Sequence, residues 1–228
     1  MGELSKIQFL MVVAIPALFA ITVHEAAHGW IAKRLGDPTA MMMGRLTLNP
    51  IKHIDPIGTI LVPIATFWLS GFLFGWAKPV PVTWENLRRP KRDMALVAVA
   101  GPSANLLMAI GWAIVMKIGL LFLPGSGYVA IPLVYISFMG ILINCVLMIF
   151  NLLPLPPLDG GRIMISLLPG PLSWKYSQLE PYGLYILLFL IITGVLVWVL
   201  IPPVLTLITM IGVLFGINPQ IMALMPML

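Results

Sequence analysis

Residues 7–34 read IQFLMVVAIPALFAITVHEAAHGWIAKR, an apolar run with His24, Glu25 and His28 in its second half and Lys33 and Arg34 at its end. As a helix it would be ~40 Å long at ~1.5 Å per residue, more than the ~30 Å hydrocarbon core of a bilayer. It stops at Leu35-Gly36-Asp37-Pro38, glycine as the cap and proline beyond. The whole chain has the same character. Of its 228 residues 60% are apolar and 9% charged, against ~25% charged in soluble proteins. Mean hydropathy is +1.04. This excludes a soluble globular domain, a disordered chain and a nucleic-acid-binding module. Cys145 is the one cysteine, which excludes an intrachain disulfide and a thiolate zinc cluster. A cleaved leader is a poor reading of the start. Glu3 makes it acidic, no polar cleavage region follows, and the helical pattern runs unbroken to Arg34.

The chain therefore reads as an all-α integral membrane protein, a single embedded domain over 1–228 with about five to six membrane segments. Asp93–Leu123 and Leu133–Leu153 are long helices joined by an uncharged turn, and Tyr182–Ile201 spans again. Pro202-Pro203 should break that helix, leaving Val204–Ile217 as a sixth short span or an interfacial helix. Residues 39–48 lack helical amphipathicity and carry Gly44, which suggests short membrane-associated strands. Met41–Met43 could then offer an edge to an extended partner. Trp68, Trp76, Trp84, Trp174 and Trp198 read as interfacial anchors.

Topology follows from the cations. The net charge is +5, and nine of the 13 Lys and Arg lie in the loops 33–56 and 78–92. Positive loops belong in the cytoplasm. A single crossing by Ile57–Trp76 would put these two loops on opposite faces. With Gly58, Pro63, Gly71 and Gly75 inside it, 57–76 is expected to be re-entrant or a hairpin. The N-terminus then lies outside.

Ionisable groups inside apolar spans are costly and functional by default. His24-Glu25-Ala26-Ala27-His28 is HExxH. On a helix, positions i and i+4 share a face, so two imidazoles can converge on one Zn²⁺. Glu25 can then reach a metal-bound water as general base. Catalytic zinc takes three protein ligands. The third could be His53 or Asp159, with Asp55, Asp37 and Cys145 far behind. Asp159 follows Pro154-Leu155-Pro156-Pro157-Leu158, which cannot form regular helix and could line a cavity. His24 lies ~15 Å of helix from the Arg34 end, the same side as Asp159, so the two can meet. Asn144 and Asn151 share a helix face and could donate to an oxyanion. Helix–helix hydrogen bonding is the plainer role for Asn144, and pairing of backbone freed by Pro102 for Asn105.

HEAAHGW with NLLPLPPLDGGR at 151–162 resembles the site-2 protease family of intramembrane zinc metallopeptidases. GRLTLNPIKHIDPIG at 44–58 and GPSAN at 101–105 are similar to its small bacterial or archaeal branch. The likeness covers about residues 20–175. It implies one zinc per chain on His24, His28 and Asp159, Glu25 as base, and a substrate or oxyanion role for Asn151. It implies a catalytic core of about 7–168, a transmembrane protein substrate unwound locally, and a site toward the cytoplasmic side of a prokaryotic plasma membrane. Nothing here matches the PDZ or CBS modules of some relatives, so regulation falls to substrate processing or a partner protein. The competing readings are a transporter or metal carrier using the same cluster as an ion site, and a silent scaffold. Paired repeats, common in transporters, are not found.

Overall fold

A computed structural model describes residues 6–70, 75, 77–125 and 127–227. Among these residues ten α-helices follow one another: α1 Lys6–Leu35, α2 Thr39–Met42, α3 Val62–Ser70, α4 Pro90–Phe122, α5 Gly127–Asn151, α6 Asp159–Leu167, α7 Gly170–Ser177, α8 Gly183–Ile192, α9 Val195–Phe215 and α10 Asn218–Leu224. No strand occurs among the described residues. Among the described residues four helices are long and apolar enough to cross a membrane: α1, α4, α5 and α9.

The core lies where α1, α4, α5 and α9 meet. Ala109, Ala113 and Met116 of α4 face Val134, Phe138, Ile141 and Cys145 of α5, and α9 and α10 close it with Ile208 and Ile221. Lipid is as apolar as these side chains, so close packing must hold the helices together, and small residues permit it. Gly140 shows this: a Cβ there would lie 2.4 Å from the Trp112 ring. Lys117, a charge inside α4 that the sequence reading passed over, is exposed near the helix end and can snorkel to the interface.

Several sequence expectations change. The proposed strands at 39–48 are instead one helical turn, α2, followed by irregular backbone that turns at Gly44 with φ +63°. Short-range amide bonds account for this: Met42 N–H donates to Pro38 O and Met43 N–H to Thr39 O, leaving no strand partner. The break expected at Pro202-Pro203 falls at Gly194, whose φ of +74° separates α8 from α9. Both prolines lie inside α9. Within the same helix the Thr206 hydroxyl donates back to Pro202 O at 2.8 Å. So α9 is the fourth long span, and α8 is only ten residues.

The 57–76 segment does return. Lys78 N–H donates to His53 O at 3.0 Å, so the chain leaves and re-enters at one place. Between these points a π-helical turn at Pro56–Leu61 leads into α3. Its first amides, Ile57 and Gly58, donate to the Asp55 carboxylate. Gly71 and Trp76 lie outside the described residues.

Past the end of α1, Asp37 joins this helix to the 83–86 turn. The buried carboxylate accepts from Thr39 N–H and hydroxyl, Thr83 N–H at 2.8 Å and Asn86 Nδ2 at 3.0 Å. Burial pushes the Asp37 carboxyl up, but the hydrogen bonds from Thr39, Asn86 and Thr83 outweigh it and hold the group below its ordinary value. A carboxyl depressed in the folded state stabilises above its unfolded pKa, and that stability is lost as pH falls through the folded value. Thermal unfolding in detergent should therefore show an acid loss below about pH 4. Asp37→Asn should remove that loss and cost on the order of 1–2 kcal/mol near neutrality.

Candidate active site

The HExxH residues lie in the second half of α1. His24 and His28, one turn apart, approach each other with Nε2 atoms 3.0 Å apart and rings edge to face. Asp159, the first residue of α6, brings Oδ2 to 3.3 Å from both Nε2 atoms. That Oδ2 is buried and has no hydrogen-bond partner. Among the described residues, these three form the one group of His, Cys, Asp and Glu side chains close enough to share a metal ion.

The donor set fits zinc. Tetrahedral bonds of ~2.0–2.2 Å separate ligand atoms by ~3.3–3.5 Å, close to the observed triangle. Gly101 of α4 leaves the room: a Cβ there would lie 2.4 Å from His28 Nε2 and 2.6 Å from His24 Nε2. Behind the imidazoles, His28 Nδ1 lies 2.7 Å from Val97 O and His24 Nδ1 lies 2.6 Å from Asn105 Oδ1. Each Nδ1 thus carries the proton, and each Nε2 keeps its lone pair for a metal.

Asp159 gets its place from the proline loop. Gly160 and Gly161 let the first turn of α6 lie on that loop; a Cβ at either would fall 2.3 Å from the backbone at Leu152 or Pro156. Gly183 does the same from α8 against Pro156 O. The Tyr176 hydroxyl of α7 donates to Pro154 O, and Lys91 Nζ of α4 donates to Leu168 O. α6, α7 and α8 therefore clamp a segment that makes little regular secondary structure of its own, and α4 holds the far end of α6.

Glu25 is half-buried, and its Oε2 accepts from Val80 N–H at 2.6 Å. The donor belongs to the extended segment 77–83, which crosses α1 where Gly29 leaves space: a Cβ at Gly29 would be 3.0 Å from Val80 Cγ1.

The profile of peptidase family M50 matches residues 119–194, which include Asp159 and the proline loop. The chain is 41% identical over 189 residues to YwhC of Bacillus subtilis, named as a zinc metalloprotease, covering 82% of this chain and 83% of that one. This chain belongs to peptidase family M50. It is also 30% identical over 189 residues to Rip2 of Mycolicibacterium smegmatis, covering 82% of this chain and 69% of Rip2. A shorter likeness, 40% over 87 residues, is to MJ0611 of Methanocaldococcus jannaschii, covering 38% and 40% of the two chains. Both carry the same zinc metalloprotease description. No solved structure matches the chain. The M50 peptidase is thus a membrane-embedded zinc metalloprotease of the site-2 type.

Other candidates in the M50 peptidase lie elsewhere. His53 is buried with Nε2 on Thr47 O, Asp55 caps the π-helical turn, Asp37 holds its own cluster and Cys145 is in the core. Asn151 Nδ2 donates one turn back to Leu147 O. Asn105 and Asn144 are fully buried and committed to each other: Asn105 Nδ2 donates to Asn144 Oδ1, and Asn144 Nδ2 to Gly140 O. These two are therefore oriented behind His24, not toward an oxyanion, and Asn105 does not pair backbone freed by Pro102. The sequence reading missed Val80, Val97 and Gly101. Val80 left a signal as the lone N–H between Pro79 and Pro81, and Gly101 as the first residue of GPSAN; Val97 left none.

Asn105→Ala should weaken zinc retention about 10–100-fold in chelator competition, while Gly101→Ala should yield folded protein without stoichiometric zinc by elemental analysis.

Proposed function

We propose that this M50 peptidase holds one Zn²⁺ on His24 Nε2, His28 Nε2 and an Asp159 carboxylate oxygen, with Glu25 as general base. Its reaction is hydrolysis of peptide bonds in or near transmembrane segments of membrane-protein substrates, the chemistry of regulated intramembrane proteolysis. The observation that carries the reading is the triangle of donors, 3.0, 3.3 and 3.3 Å on a side, inside a bundle of spanning helices.

Zinc at this site supplies Lewis acidity toward the scissile carbonyl and lowers the pKa of a coordinated water toward neutrality. The chain does the rest. His24 and His28 are held in one tautomer by their Nδ1 partners. Glu25 directly follows His24 in sequence. It takes a proton from the attacking water and returns it to the leaving amine. Its Oε2 is engaged by Val80 N–H, so Oε1 is the oxygen that handles the proton. A substrate helix has its carbonyls locked in hydrogen bonds and must unwind locally before one can reach the site.

The site faces the cytoplasm in this reading, and the N-terminus lies outside a prokaryotic plasma membrane. Support comes from the nine cations of loops 33–56 and 78–92 and from the bond between Lys78 N–H and His53 O, which brings those loops together.

The test pairs zinc content with cleavage of a panel of single-span test substrates, for wild type and Glu25→Gln. Both proteins should hold about one zinc per chain, and Glu25→Gln should cut about 10²–10⁴-fold more slowly. Wild-type cutting by Glu25→Gln would remove Glu25 as base. Folded wild type without zinc would remove the metal site.

A further inference from the structure

Arg45 is a buried cation, 8% exposed, in a chain with few charges. No ion pair to it occurs among the described residues. Its Nη2 donates instead to two successive carbonyls, Lys78 O at 2.9 Å and Pro79 O at 3.3 Å. A guanidinium removed from water needs strong acceptors, and main-chain carbonyls are what this site offers.

The second of those carbonyls matters most. Pro79 C=O and Val80 N–H belong to one peptide group, and in a trans peptide they point in opposite directions. The oxygen of this group accepts from Arg45, and its N–H donates to Glu25 Oε2. One rigid plane therefore lies between a buried cation and the carboxylate beside the metal triad. Each hydrogen bond involves an ionised group and polarises the peptide in the sense that strengthens the other. Pro79 and Pro81 have no N–H, so Val80 is the only donor in that stretch. The neighbouring contacts fix the same strap: Lys78 N–H donates to His53 O, and Arg45 N–H donates to Ala40 O.

We propose that Arg45 is a positioning residue for Glu25, acting through the Pro79–Val80 peptide. The guanidinium sets the plane of that peptide, and the peptide N–H fixes the Glu25 carboxylate in one place. Glu has three side-chain torsions and high rotamer entropy, so without the clamp its carboxylate would sample several positions. The inference rests on Glu25 as base for its catalytic meaning, but the clamp is measurable without substrate.

The measurement is amide hydrogen exchange of Val80 in the detergent-purified full chain, with zinc content followed in parallel. Val80 should be protected in wild type. Glu25→Ala should speed its exchange by about tenfold or more. Arg45→Met, which keeps bulk but donates nothing, should do the same. Arg45→Lys, which can present one nitrogen to both carbonyls, should restore most of the protection. Zinc content and protection of α4 and α5 should hold in every variant. On a cleaved single-span test substrate, Arg45→Met should lower kcat with KM nearly unchanged, and Arg45→Lys should recover it. Unchanged Val80 exchange in Arg45→Met overturns the proposal. So does a loss of protection through α4 and α5, or a failure of Arg45→Lys to rescue, since either makes Arg45 a general fold residue. Failure of the base assignment is separate: it appears as cutting by Glu25→Gln, whatever Val80 does.

Discussion

A main-chain carbonyl can only accept a hydrogen bond, and that restriction at Gly140 fixes the state of His24 three groups away. Asn144 must present its NH₂ to Gly140 O, so its Oδ1 faces Asn105. Asn105 must answer with its own NH₂, which leaves its Oδ1 for His24. Nδ1 of His24 must then be the protonated nitrogen, and Nε2 the lone pair. Asn105 and Asn144 are fully buried, so no solvent can substitute for a missing partner. Each orphaned group would cost about 1–3 kcal/mol. The relay therefore does two things at once. It ties α1 to α4 and α4 to α5, and it points an imidazole at the metal position.

Space is constrained in the same way. The triangle of donors can form only if α4 approaches α1 with no side chain between them, and Gly101 is that gap. At the neighbouring interface Gly140 has the matching role, admitting Trp112 between α4 and α5. Because lipid supplies no hydrophobic drive between helices, these close approaches and the asparagine relay supply the bundle's specificity. A site built this way has little freedom to drift, which suits a reaction sensitive to small misplacement of its groups.

Much of this was legible in the sequence because it was written in local spacing. HExxH is two histidines one helical turn apart, and the proline run before Asp159 announces non-helical backbone. The long apolar runs mark α1, α4 and α5 to within a few residues, apart from the early start of α5 at Gly127. What could not be read depends on distant partners. Pro202-Pro203 looked like a break, yet α9 runs through both prolines. Gly194, a less conspicuous residue, carries the break between α8 and α9. Asn105 and Asn144 lie 39 residues apart, and nothing in either helix alone says that they meet.

The 44–58 motif is the clearest case of a pattern whose purpose lies elsewhere. Read alone, GRLTLNPIKHIDPIG offers a histidine and an aspartate that could be mistaken for metal ligands. In the fold, Asn49 caps a 3₁₀ turn, Asp55 caps a π-helical turn, and His53 lends its carbonyl to Lys78. Each of these groups pairs a main-chain amide at the foot of the hairpin. The result is a hairpin that leaves the body of the protein and returns in a fixed register. A hairpin that slipped by one residue would present Pro79 or Pro81 to Glu25, and neither has an N–H to give. Register in this irregular segment is thus tied to the Val80 amide that meets Glu25 of α1, and the motif bears on that contact without taking part in it.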